Sequence, residues 1–252
     1  MYSPYDFNQS IAHRAEYVEE RLKGGAPVVA VSFDKGVLLF TVKRTQRKVF
    51  EIYDKIMYSA IGNQADVEAV RLAAIDFAHG EGFARSPDDV SVQRMVGFAI
   101  SPPLKKSFGD TFNTPTVMRA IFAELGLSPE RDAFFVLNYD GEFSTHAKFA
   151  VVAGSDAGED TMQKELEQFD DIPDLQTALS RAANAWRAGS RGEVHDDDDE
   201  KSTPDNGRTF ESGDVDSLTE ALKNGPIEAA ILERDTSRES KFRLLRSDEI
   251  SI

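Results

Sequence analysis

Hydrophobic positions along this chain change period several times, and the changes divide it into alternating blocks of strands and helices. From about Tyr5 to Arg21, Phe7, Ile11, Ala15 and Val18 fall at helical spacing between Ser3-Pro4 and Gly24-Gly25, which predicts an amphipathic helix with one face to pack. Pro27 to Phe33 and Gly36 to Val42 are short valine-rich apolar runs separated by a turn at Asp34-Lys35-Gly36, a hairpin signal. Lys48 to Asp54 and Ile56 to Gly62 read as a second strand pair turning at Asp54-Lys55. Asn63 then caps a predicted helix with Val67, Val70, Ala74 and Phe77 on one side, closed by His79-Gly80-Glu81-Gly82. A further helix is expected to start at Ser86-Pro87-Asp88-Asp89 and to break or end at Pro102-Pro103, because neither proline donates a helical hydrogen bond.

In the second half, Val117 to Leu125 has helix-forming residues in a strand-like setting, and we assign it as a strand. Ala133 to Tyr139 and Phe149 to Ala153 are strands flanking a turn at Asp140-Gly141. Ala157 to Phe169 and Asp174 to Ala188 are helices, the second presenting Leu175, Ala178, Leu179, Ala182 and Trp186 on one face. A short helix over Ser217 to Lys223 and strands over Ile227 to Glu233 and Lys241 to Leu245 complete the chain. Strands, two helices, strands, two helices and final strands give a layered α/β arrangement with antiparallel sheets between helix pairs. We treat residues 1–252 as a single domain.

Composition narrows the chemistry. The chain has 252 residues and 40% hydrophobic content, enough for a full core, and no apolar run long enough to span a membrane. The first ten residues lack the basic start and apolar stretch of a signal peptide, so the expected location is cytoplasmic. No cysteine is present, which excludes disulfides, thiolate zinc sites and thiol nucleophiles. The four histidines, at 13, 79, 146 and 195, never stand three or four residues apart, and no metal is expected. A net charge of -15 argues against nucleic acid and anionic membranes as partners. Part of that charge lies in five consecutive acids, Asp196 to Glu200. There, self-repulsion and a lack of apolar residues predict an acidic mobile loop over 192–213, a solvated insertion rather than a recruitment patch or cation site.

Several stretches together resemble the proteasome α-type subunits, in their bacterial, actinobacterial-like form, from about Ser3 to Gly189. They are the opening hairpin from Lys23 to Phe40, the run from Arg47 to Gly62, Ile75-Asp-Phe77, Gly82-Phe83-Ala84, and the helix start Asp88-Asp-Val90. The resemblance implies a four-layer αββα sandwich of antiparallel sheets, the Ntn-hydrolase fold. Catalytic members of that superfamily use an N-terminal threonine whose own amine is the base, with a nearby lysine lowering the nucleophile's pKa. The threonine position falls at Ala26, after Gly24-Gly25, and its partner acid at Val42, whereas the lysine is kept as Lys48. No catalytic residue is therefore expected, and no cofactor.

What the resemblance implies instead is a noncatalytic subunit of a threonine protease complex. It would form a homo-heptameric outer ring on β-type rings, and admit unfolded or tagged proteins delivered by an AAA-type ring ATPase, with prokaryotic ubiquitin-like protein as the tag. Lys48 would meet the ATPase tail's terminal carboxylate in a pocket that Gly25 also lines, a charge-assisted contact worth about 1.5 to 3 kcal/mol. Met1 to Gln9 would be a gate segment, with Tyr2, Ser3, Pro4 and Tyr5 as its residues. The Tyr-Asp-Arg gate element of archaeal and eukaryotic α-type chains is absent, since Phe7 follows Tyr5-Asp6. Two alternatives stand beside this reading. One is a self-processing hydrolase of the same fold using Ser32, Thr41 or Thr45; the other is a ring-forming scaffold unrelated to proteolysis.

Overall fold

The computed structural model describes residues 4–43, 46–192 and 226–250. The expected acidic loop and the helix over Ser217 to Lys223 lie outside these residues, as do Thr45, Tyr2 and Ser3. Helix α1 (Pro4–Leu22) leads into strands β1 (Val28–Phe33), β2 (Gly36–Val42), β3 (Val49–Tyr53) and β4 (Ile56–Gly62). After α2 (Gln64–Ala84) come α3 (Val92–Arg94) and α4 (Ser101–Gly109), then β5 (Met118–Glu124), β6 (Ala133–Leu137), β7 (Phe143–His146) and β8 (Phe149–Val152). Helices α5 (Asp156–Glu167) and α6 (Leu175–Gly192) precede β9 (Ile227–Glu233) and β10 (Phe242–Leu244).

The strands form two five-stranded antiparallel sheets, ordered β10-β9-β2-β1-β8 and β3-β4-β5-β6-β7. Side chains alternate across a strand, so a strand with both faces covered is apolar except where a buried polar group finds a partner. Strand β1 is apolar at every position but Ser32. Val29, Val31 and Phe33 pack with Met162, Leu179 and Trp186 of α5 and α6, while Val28 and Ala30 face Met57, Ile61 and Ile121 of the other sheet. That other sheet turns Ile56, Tyr58 and Phe122 outward onto Val67, Val70 and Ala74 of α2 and onto Met95 and Leu104. Three apolar layers separate four layers of secondary structure, an αββα sandwich. Helix α1 stands apart from these layers and inserts Val18 and Leu22 into the core between the sheets.

Several local expectations are corrected. Helix α2 does not close at His79 to Gly82 but runs to Ala84. Gly80 has open space around it, and at Gly82 the absent Cβ makes room for the Tyr53 hydroxyl. Ser86-Pro87-Asp88-Asp89 starts only a single 3-10 turn; Ser91 caps the true helix start at Val92. The chain then stays helical past Pro102-Pro103, because Met95–Ile100 widens into a π turn in which the Ser101 amide donates to the Val96 carbonyl. Each proline thus sits in the first turn of α4, where a missing N–H costs little. Strand β7, Phe143–His146, was not anticipated.

Candidate functional site

Helix α1 ends because Gly24 adopts φ +73, a left-handed conformation that glycine reaches without a Cβ penalty, and the Gly25 amide then donates to the Leu22 carbonyl at 2.9 Å. Gly25 itself presses against β4: a Cβ there would lie 3.2 Å from Cβ of Ile61 and 2.9 Å from the Leu22 carbonyl oxygen. The chain passes at once into Ala26, Pro27 and β1. At the facing end of the other sheet, the Lys48 ammonium donates to the Ala26 carbonyl at 2.6 Å and lies 3.4 Å from the Thr41 hydroxyl. Ala26, Val42 and Lys48, far apart in type and meaning along the chain, therefore meet in one place.

Around them opens a cleft of ≈ 280 Å³. Its walls are the end of α1 with Gly24 and Gly25, the segment Gln46 to Lys48, and the turn from Ala60 to Gln64. Arg21, Lys23, Arg47 and Lys48 all line it, and none of the described residues along it is acidic. Lys23 pairs with Glu20 at 2.9 Å, and the Arg47 guanidinium stands 5.3 Å from the Phe50 ring centre and 3.8 Å from the Glu228 carboxylate. In a chain of net charge -15 this is a local inversion of sign.

Glu228 holds the cleft wall in position. It is a buried acid in β9, and its two oxygens accept from the backbone amides of Lys48 at 3.0 Å and Val49 at 3.1 Å. These amides open β3, an edge strand, so the carboxylate replaces a missing strand neighbour. Thr41 and Trp186 brace the opposite wall, both donating to the Pro27 carbonyl, at 2.7 and 2.9 Å. Sequence reasoning overlooked Glu228; the available signal was one acid inside an otherwise apolar central strand.

The alternative nucleophiles are committed elsewhere. Thr41 is buried with its hydroxyl on Pro27. Ser32 lies at the other end of β1, buried, and donates to Asp132, which also accepts from the Gly126 amide and from Arg234. The Lys48 ammonium 3.4 Å from Thr41 itself donates to the Ala26 carbonyl. Pro4 and Tyr5, expected as gate residues, fall in the first turn of α1. Among the described residues no group of three or more His, Asp or Glu could hold a metal, and no helix is long and apolar enough to cross a membrane.

Sequence comparison finds relatives of one kind. A proteasome α subunit of Actinosynnema mirum is 29% identical over 248 residues, covering 96% of this chain and 83% of its own length. The chain is a relative of the actinobacterial proteasome α-type subunits. A second relative, from Nocardioides sp., is 27% identical over 241 residues, 94% of this chain and 83% of the relative. A third, from Jonesia denitrificans, is 29% identical over 177 residues, 69% and 74%. No protein-family model matches. The αββα sandwich is the fold the α-type resemblance implied.

Proposed function

We propose that this chain is a noncatalytic α-type subunit of a proteasome core particle, assembling as a heptameric outer ring on β-type rings and receiving substrates from a ring ATPase. The observation that carries this reading is the Lys48 ammonium fixed on the Ala26 carbonyl, at the mouth of a cleft lined by four cations. A methyl group cannot attack a peptide carbonyl, so the lysine has no nucleophile to activate there. It serves instead as a carboxylate receptor. A partner's C-terminal carboxylate entering between Gly25 and Lys48 gains a charge-assisted hydrogen bond from a compact ammonium, while Leu22, Val42 and Ile61 offer apolar wall to the residues before it. Met1 to Gln9, ahead of and into α1, control entry at the ring pore.

Purification with a β-type partner from the same cell tests assembly and chemistry together. Peptide hydrolysis only by the mixed four-ring particle is expected; hydrolysis by this chain alone would refute the noncatalytic assignment. Lys48→Ala should preserve the particle and its basal peptide hydrolysis but abolish stimulation by the ATPase, and undiminished stimulation would remove the docking role.

A further inference from the structure

At the other end of β1 from the cleft lies a second cavity, of ≈ 190 Å³. Buried Val31, Ser32 and Leu166 line it on the inside, and the half-buried Phe149 and Phe169 add two rings to the lining. Two lips frame it: the turn from Ala147 to Phe149 that joins β7 to β8, and the segment from Phe169 to Pro173 that joins α5 to α6. Both are pinned to the first hairpin, since the Ser32 amide donates to the Lys148 carbonyl at 2.7 Å and the Asp34 amide to the Pro173 carbonyl at 2.9 Å. Lys148 holds φ +66, the one left-handed non-glycine residue among those described, in a three-residue turn closed by the Phe149 amide on the Ala147 carbonyl at 2.8 Å. Strained backbone of this kind concentrates at ligand clamps. Here it belongs to the residue that bridges the two lips, because the Lys148 ammonium donates to the Asp170 carbonyl and carboxylate at 3.2 Å each.

We propose that this cavity binds a single-ring aromatic carboxylate, with the ring inside and the carboxylate on the Lys148 ammonium. The site goes beyond the α-type reading and does not depend on it. Size selects the ring: a dry apolar cavity of about 150 Å³ holds one benzene, so ≈ 190 Å³ holds a ring with one small substituent. The rings of Phe149 and Phe169 favour an aromatic guest over an alkyl one, because aromatic pairs attract beyond the area they bury. The head group follows from the two cations of the lining. Arg181 is committed: its Nη2 donates to both Asp171 oxygens at 2.9 and 3.0 Å, and its guanidinium lies 4.1 Å from the Phe169 ring centre. The Lys148 ammonium has three donors, of which two go to Asp170, a fully exposed partner that holds it weakly. A carboxylate can take the third donor or displace that aspartate. Glu130, the other acid of the lining, is exposed to solvent that screens it.

The test titrates the full chain, methyl-labelled at Ile, Leu and Val, with benzoate and follows methyl shifts and ring-to-methyl NOEs. Contacts to Val31, Leu166 and Ile172 are expected, with a Kd of about 10 mM or tighter for a ligand of this size. Benzamide should bind about two- to fivefold more weakly for want of the charge, and cyclohexanecarboxylate about two- to tenfold more weakly for want of the aromatic ring. Lys148→Asn, a residue that accepts positive φ, should bring benzoate to the benzamide level and leave benzamide unchanged, and in the native chain rising salt should close the gap. If that variant does not fold, the comparison of benzoate with benzamide on the native chain decides alone. Equal binding of these two overturns the carboxylate assignment and with it the proposal, and equal binding of cyclohexanecarboxylate overturns the aromatic one. Contacts confined to Val42 and Ile61 would place benzoate in the four-cation cleft and also overturn the proposal, as would no contact at all at about 20 mM benzoate.

Discussion

Replacing Glu228 by alanine tests whether one buried carboxylate sets the position of Lys48. The native carboxylate accepts from the amides of Lys48 and Val49 at 3.0 and 3.1 Å, and its side chain is only 8% exposed. The Val49 amide is buried and would lose its partner without access to water, which costs about 1 to 3 kcal/mol; the Lys48 amide is half-buried and belongs at the low end, about 1 kcal/mol. The Arg47 pair at 3.8 Å adds little, because the arginine is exposed. The sum is about 2 to 4 kcal/mol, and at about 2 to 4 °C per kcal/mol for a chain of this size the melting temperature should fall by about 4 to 16 °C. Urea denaturation followed by fluorescence of Trp186, the sole tryptophan, reads the loss from beside the site. Glu228→Gln keeps one carbonyl acceptor and should lose about half as much. A loss below about 0.5 kcal/mol in the alanine variant would refute the anchoring role.

Asp132→Ala should cost about 3 to 5 kcal/mol, since it strands Arg234, 11% exposed, without the carboxylate that now faces it; chemical denaturation reads the change. Arg14→Ala removes a guanidinium that donates to the carbonyls of Ser107, Phe108 and Asn113 at the end of α4, so amide hydrogen exchange should accelerate in α1 and α4 while the strands stay protected. Burial holds the His146 imidazole below the usual histidine range. The folded state therefore binds its proton less readily than the unfolded chain, and this group's contribution to stability is complete above about pH 6.5 and is lost as pH falls toward the folded value. His146→Gln should flatten the stability profile in that window.

Much of the fold was readable because strands buried on both faces leave nearly continuous apolar runs, as in Val28 to Phe33 and Gly36 to Val42, each broken by a single hydroxyl residue, Ser32 and Thr41. Strand β7 left no such signal: it is an edge strand whose Ser144 and Thr145 are exposed, so pairing with β6 rather than burial defines it. The glycines and prolines of α2 and α4 misled for the opposite reason, since tertiary packing around Gly82 and the π turn before Pro102 absorb residues that end isolated helices. At the site, Ala26, Val42 and Lys48 were placed by counting along one hairpin and its neighbour. Glu228 was not, because its bond to Lys48 closes a loop of 180 residues.

Helix α1 is part of the body of the protein as well as its first element. Val18 and Leu22 are fully covered where they enter the core between the sheets, and Tyr139 donates to Glu19 at 3.0 Å. Cutting the chain before Ala26 would untether that helix and leave about 1.5 to 3 kcal/mol of apolar burial per side chain to be held by noncovalent contacts alone. Proteolytic trimming would thus erode the body it was meant to mature, so the wedge makes an uncut polypeptide the stable form of this chain.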